Sequence, residues 1–286
     1  MSPRRKVQIG FVILTWNSEK CIDKCLRSVV ELDAVSPCAV IVDNGSADRT
    51  PEIVRRYETK YPSNISMIQY RDNKGTTVSR NDGLKRLMSL RPDFYCVLDS
   101  DTEVNDEAFL QLVSKMNEHR EYGIIGPSMV TSSGVLQASA RRFPTAIEKI
   151  CKAIPLRFFQ ERGEELEAIK PPTPDAASYP VDYLMSACWL IRPETLDKAG
   201  LLDEKIFYAP EDAEYCIRVW KAGYQVAFCP GARIIHEWQR LSRRKFVSRI
   251  NWEHIKGLGY MFRKHRYLFT TDKLRKSFME MEREST

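Results

Sequence analysis

The chain has 286 residues, 43% of them apolar and 29% charged, a globular balance that excludes disordered and fibrous classes and leaves ample length for a buried core. Its net charge of +6 is unevenly spread: from residue 240 onward Lys and Arg number 13 against 5 Asp and Glu, and the rest of the chain holds 31 against 33. The basic excess therefore belongs to one C-terminal tail, and an anionic surface is an expected partner for that tail only.

No window approaches the ~18 uninterrupted apolar residues of a bilayer span. Met1-Ser2-Pro3-Arg4-Arg5-Lys6 runs straight into a strand-like segment, without the apolar stretch and cleavage site of a secretory signal. Eight cysteines are scattered through predicted helices and strands. Cys21 and Cys25 share a helical face, but no second pair lies at metal-ligand spacing, so the set reads as structural thiols of a reducing cytoplasm.

In chain order, strands are predicted at 7–14, 39–42, 66–70 and 94–98, and helices at 19–30, 48–61 and 77–89. This alternation predicts an α/β fold with a mostly parallel sheet, whose ligands bind beyond the carboxyl ends of the strands. Those ends read Thr15-Trp16-Asn17, Asp43-Asn44-Gly45-Ser46, Arg71-Asp72-Asn73-Lys74-Gly75 and Asp99-Ser100-Asp101. Periodicity weakens after Gly126, and the proline-rich stretch 156–180 predicts a mobile loop or lid. A strand at 183–191, a helix at 211–222, a strand at 224–229 and the segment Ala232-Arg233-Ile234-Ile235-His236 follow.

Four places carry chemistry-capable groups. Asp99 and Asp101 would point the same way at a strand end, where two hard oxygen donors suit Mg²⁺ or Mn²⁺ holding a diphosphate. Asp43 could hydrogen-bond a base or ribose, although its segment also fits a plain strand-to-helix turn. Glu211-Asp212-Ala213-Glu214 opens a helix, where a carboxylate serves either as a general base or as a first-turn cap. His236 is either a satisfied strand-end residue or a ligand. No G-x-G-x-x-G and no G-x-x-x-x-G-K-[ST] is present, against a dinucleotide Rossmann site and a P-loop.

Taken as an ordered set, these motifs resemble the family 2 glycosyltransferases of GT-A fold. Thr15-Trp16-Asn17 resembles T-[YW]-N, and Val42 to Thr50 resembles V-D-N-G-S-x-D-x-T. Asn73-Lys74-Gly75 with Arg80-Asn81-Asp82-Gly83 resembles N-x-G…R-N-x-G, and Asp99-Ser100-Asp101 the family's D-x-D. Phe207 to Arg218 resembles F-x-x-x-E-D-x-[DE]-x-x-x-R. The resemblance implies a GT-A domain over 1–239, with a nucleotide-binding half at 1–101 and an acceptor and catalytic half at 102–239. It implies donor contacts from Thr15, Asn17, Asp43, Asn73, Arg80, Asp99 and Ser100, a Mg²⁺ or Mn²⁺ site on Asp101 and His236, and Asp212 as base in an inverting single displacement. The Q-x-x-R-W signature of processive members is missing, which favours one sugar per encounter. Thr76 and Thr77 stand where many members have an aromatic or Ala. Ser133 to Pro144 and Met185 to Arg192 resemble rhamnosyltransferase-type members, which suggests a dTDP-rhamnose donor for surface polysaccharide. The expected acceptor is a glycan or a polyprenyl-diphosphate-linked sugar.

The tail at 240–286 predicts a basic amphipathic helix over 245–266 that either lies on the inner face of the cell membrane or packs on the domain. No nucleic-acid motif accompanies it. Two other readings compete: a nucleotidyltransferase, which usually has a Gly-rich phosphate loop after the first strand, and an inactive nucleotide-sugar-binding scaffold.

Overall fold

The computed structural model describes residues 5–169, 173, 176–237 and 249–284. β1 (Gln8–Thr15), α1 (Ile22–Val30), β2 (Ser36–Asp43), α2 (Thr50–Lys60), β3 (Ile65–Gln69), α3 (Thr76–Met88) and β4 (Phe94–Asp99) follow one another as the sequence predicts. Next come β5 (Thr102–Glu103), α4 (Asp106–Glu118), β6 (Tyr122–Val130), β7 (Leu136–Gln137), β8 (Ala140–Arg141), α5 (Ala146–Ala153) and α6 (Arg157–Glu167). β9 (Tyr179–Pro180), β10 (Tyr183–Leu184), β11 (Cys188–Ile191), α7 (Pro193–Ala199), α8 (Glu211–Lys221), β12 (Gln225–His236), α9 (Arg249–His265) and α10 (Asp272–Glu284) complete the order.

The central sheet runs β3-β2-β1-β4-β11-β6-β12-β5. Parallel pairing joins β1 to β2 and β4, β2 to β3, and β6 to β12; β11 is inserted antiparallel between β4 and β6. Alternation along the strands divides the core in two. Ile9, Phe11, Ile13, Ile41 and Leu98 fill one face, and Val12, Val40, Val42 and Val97 the other. A Cβ on Gly83 of α3 would sit 2.3 Å from a Val12 methyl, so glycine is what lets this helix backbone lie against β1. Register then levels the strand ends: Thr15 pairs with Asp43, Leu14 with Asp99, and Asp43 with Gln69.

The later chain departs from the predicted elements in three places. Much of the expected lid is helix: α6 carries the local pairs Arg157–Glu161 and Arg162–Glu165, and Glu167 at its end binds Arg141 and Lys152. Pro155 precedes this helix rather than breaking it, and residues 170–172 and 174–175 lie outside the described residues. The strand at 183–191 is two strands, β10 and β11, with 185–187 between them. Conversely, 225–236 is one strand, whose register shifts between Cys229 and Arg233, around Pro230-Gly231.

The tail packs on the domain. α9 buries Met261, α10 buries Leu274 and Phe278, and Phe278 stacks on Trp220 of α8 at 5.6 Å. Lys264 reaches Asp203 and Glu214, and Arg275 holds Asp182. Residues 240–248, the start of the predicted tail, lie outside the described residues. No helix among the described residues is long and apolar enough to cross a membrane.

Candidate active site

The levelled ends of β1, β2 and β4 make one polar edge. Thr15 and Asp43 are buried there, and Thr15 Oγ1 and Asp43 Oδ1 have no hydrogen-bond partner among the described residues. Burial pushes the Asp43 carboxyl up, while hydrogen bonding from Ser46 opposes it. Two buried oxygens without donors, side by side in register, form an acceptor pair that a ligand's N–H or O–H groups would satisfy.

Asn17, Asn73 and Ser100 lie on the same edge with their side chains tied to neighbouring loops. Asn17 takes a left-handed φ of 50°, which asparagine tolerates well, and its Oδ1 accepts from Ala47 N at 2.8 Å. Asn73 Oδ1 accepts from Gly75 N and from Asn44 Nδ2, both at 2.9 Å. Ser100 Oγ lies 2.9 Å from Ser18 Oγ.

Asp99, Asp101 and His236 converge from β4, the turn after it and the end of β12, with ligand atoms all within 4.8 Å of one another. Gln137 accepts at 2.7 Å from Nδ1 of His236, and its amide donates to the His236 carbonyl, which fixes the amide's orientation. Nε2 is thereby turned toward Asp101, 3.4 Å away. Burial disfavours charge on His236, but Asp101 outweighs it and raises the imidazole pKa. Two carboxylates and one imidazole nitrogen form a donor set that fits Mn²⁺ or Mg²⁺ with positions left over for a diphosphate.

Arg80 of α3 joins this cluster to the other half of the site. Its buried guanidinium donates to Asp99 Oδ1 at 2.6 Å, to Ser186 Oγ at 2.8 Å and to Glu211 Oε1 at 3.0 Å. Burial pushes Glu211 up to about 8, the Asp212 charge adds to the shift, and Arg80 opposes it.

Glu211 and Asp212 open α8, which is anchored to β11 by Tyr215 stacking on Trp189 at 5.8 Å. The preceding loop is pinned by Thr76 N, which donates to Phe207 O at 2.7 Å, and contains the cis Ala209–Pro210 bond. Gly75, at φ 89°, is required there, since its Cβ would meet Phe207 O at 2.5 Å. Asp212 Oδ1 accepts from Ala213 N at 2.7 Å. Burial raises the Asp212 carboxyl, and the charges of Arg141, Lys149 and Arg80 temper the rise. A half-exposed phenol, Tyr208, lies in the field of Glu211, Asp99 and Asp212; burial first, then these charges, push it up to about 12.

Gln137, Ser186, Arg141, Lys149 and Tyr208 carry no role in the sequence pattern alone. Gln137, Arg141, Ser186 and Tyr208 lie inside motif segments, so position is the available signal. Lys149 becomes relevant only once α5 is placed.

The chain matches the family model described as Glycosyl transferase family 2 over residues 11–198. It is 24% identical over 271 residues to the N-acetylglucosaminyl-diphospho-decaprenol L-rhamnosyltransferase of Mycobacterium tuberculosis, covering 92% of this chain and 83% of that protein. It is also 24% identical over 241 residues to the low-salt glycan biosynthesis hexosyltransferase Agl10 of Haloferax volcanii, covering 84% and 70%. Among solved structures, GalNAc-T7 with UDP, GalNAc and Mn²⁺ superposes with a TM-score of 0.70 at 15% identity, over 98% of this chain. The chain spans about half of that protein, 55%. The mannosyltransferase PcManGT of Pyrobaculum calidifontis in complex with GDP-Man and Mn²⁺ gives 0.62 at 16% identity, over 98% of this chain and 70% of that one. The shared architecture is the GT-A fold.

Proposed function

The chain belongs to glycosyltransferase family 2, and on that premise we propose that it moves one sugar from a nucleoside-diphosphate sugar to a hydroxyl of a glycan or polyprenyl-diphosphate-linked acceptor, with inversion at the anomeric carbon. Membership answers the nucleotidyltransferase alternative. The observation that carries the reading is the join made by Arg80, which locks a metal-capable cluster to the helix start bearing Asp212.

Thr15 and Asp43 supply the unsatisfied oxygens for the donor's base and ribose. Asn17, Asn73 and Ser100 shape the loops around the donor, and Arg80 sets the position of Asp99 rather than reaching free into solvent. Asp101 and His236, with Asp99 beside them, would hold Mg²⁺ or Mn²⁺, which offsets the charge of the departing nucleoside diphosphate. Asp212 takes the proton of the acceptor hydroxyl as that oxygen attacks the sugar from the face opposite the diphosphate. Its carboxyl has only one hydrogen bond among the described residues, from the adjacent amide, so it retains capacity to accept another.

The M. tuberculosis relative is named for rhamnosyl transfer to a diphospho-decaprenol-linked sugar, which supports rhamnose as the sugar moved and a lipid-linked acceptor; we further propose dTDP as the donor nucleotide, a role in surface polysaccharide synthesis and work at the inner face of the cell membrane. A thermal-shift screen of nucleotide sugars with Mn²⁺ and Mg²⁺ tests this, because a ligand of the folded state raises its stability by mass action. dTDP-rhamnose is expected to give the largest shift. No shift with any nucleotide sugar counts against the reading.

A further inference from the structure

Among the described residues the packed tail leaves one face uncovered. α9 sets Gly257 against Ala209 O and buries Met261, and it turns Trp252 and Ile255 outward, 59% and 60% exposed. Beyond its end Phe269 is 58% exposed. Ala146 N donates to Leu268 O at 2.8 Å, so α5 starts beside this segment, and it carries exposed Ile147 and Ile150. Between α9 and α10 lies a groove of about 560 Å³, with Phe262 and Tyr267 in its lining and Arg263, Arg266 and Lys273 beside them; no lining residue among the described ones is acidic.

The cations of the tail differ in their pairing, and beside Trp252 Lys256 is paired with Glu253. On the packed side Lys264 and Arg275 are paired with Asp203, Glu214 and Asp182. The side chains of Arg263, Arg266 and Lys273 have no ion pair or hydrogen bond among the described residues. Exposed aromatic and aliphatic groups beside unpaired cations match the chemistry of an anionic lipid surface, where rings enter the headgroup layer and cations meet phosphates. A second copy of the chain fits less well, because an isologous contact brings like charges together.

We propose that this face docks the protein on an anionic bilayer and so turns the Asp212 side of the site toward acceptors carried by that bilayer. α9 makes the connection: Gly257 lies against Ala209 O and Pro210, the residues that lead directly into Glu211 and Asp212 at the start of α8. The orientation rests on the lipid-linked acceptor reading above; the docking itself does not.

Cosedimentation of the whole chain with phosphatidylcholine vesicles, with and without phosphatidylglycerol, tests it. Binding is expected only with phosphatidylglycerol, to fall as salt shortens the Debye length from about 10 Å, and to weaken about tenfold or more in Arg263→Glu with Lys273→Glu. Phe269→Ser is expected to weaken it independently. Equal binding to both vesicle types, no binding, binding unaffected by either variant, or a dimer that Phe269→Ser dissolves would overturn the proposal. Binding of dTDP with Mn²⁺ is measured on the same preparations. Vesicle binding without dTDP binding leaves the docking intact and sinks the dTDP-sugar donor; the reverse sinks only the docking.

Discussion

Arg80 and Glu211 lie 131 residues apart in the chain and meet at 3.0 Å inside the protein. The other arm of the same guanidinium holds Asp99 at 2.6 Å. One buried side chain thus sets the separation between the end of β4 and the start of α8, which carry the two halves of the proposed chemistry.

Replacing Arg80 tests that bridge. Arg80→Met leaves the buried Glu211 carboxyl and the partly exposed Asp99 without their cation, a loss of at most about 3–5 kcal/mol. Arg80→Lys is not expected to rescue it, because an ammonium cannot reproduce the fork. Urea denaturation reads the loss, and an unchanged midpoint in either variant would contradict the bridging role.

Glu211 makes stability depend on pH. Its folded-state pKa is raised to about 8 from 4.5, so between those values the folded chain binds more protons than the unfolded one. Stability therefore falls as pH rises through that window. Glu211→Gln removes this contribution, and its melting temperature is expected to vary less between pH 5 and pH 8 than that of the parent. Parallel curves for the two proteins would show that Glu211 does not titrate there.

Gln137 governs the imidazole. Gln137→Leu removes the acceptor for Nδ1 of His236 and frees the ring to turn or change tautomer. Loss of such a partner typically weakens metal affinity about 10–100-fold. Mn²⁺ titration followed by nucleotide binding reads it, and parent-like affinity would remove the orienting role.

Asp212 is tested by its amide. Asp212→Asn is expected to lower kcat by about 10²–10⁴ while dTDP affinity stays the same. Because burial raises this carboxyl above 3.8, kcat/KM of the parent should rise with pH through a midpoint above the ordinary Asp range. Near-normal turnover in the variant would hand the base role to another group.

The first hundred residues were largely legible. Buried strands alternating with amphipathic helices leave little choice of sheet, and polar groups at four strand ends mark the ligand edge. What lay beyond was harder. Pro155 and the prolines after 170 suggested a loop, yet Arg157–Glu161 and Arg162–Glu165 pairs accompany a helix between them. The tail's sequence fits membrane contact and packing equally, because its amphipathic pattern does not say what covers the apolar face. In the fold Met261, Leu274 and Phe278 lie against the domain, and Trp252 and Phe269 stay outside. The motif around Arg80 implies a donor contact, and local sequence cannot reveal that Glu211 claims its guanidinium.

The most direct measurement of the central claim is calorimetric titration of dTDP into the parent and Asp101→Ala, each with and without Mn²⁺. In the parent, affinity is expected to rise with Mn²⁺, and in Asp101→Ala that gain is expected to disappear. Equal Mn²⁺-dependent affinity in both proteins would contradict a cation held by Asp101 with His236 at the donor diphosphate.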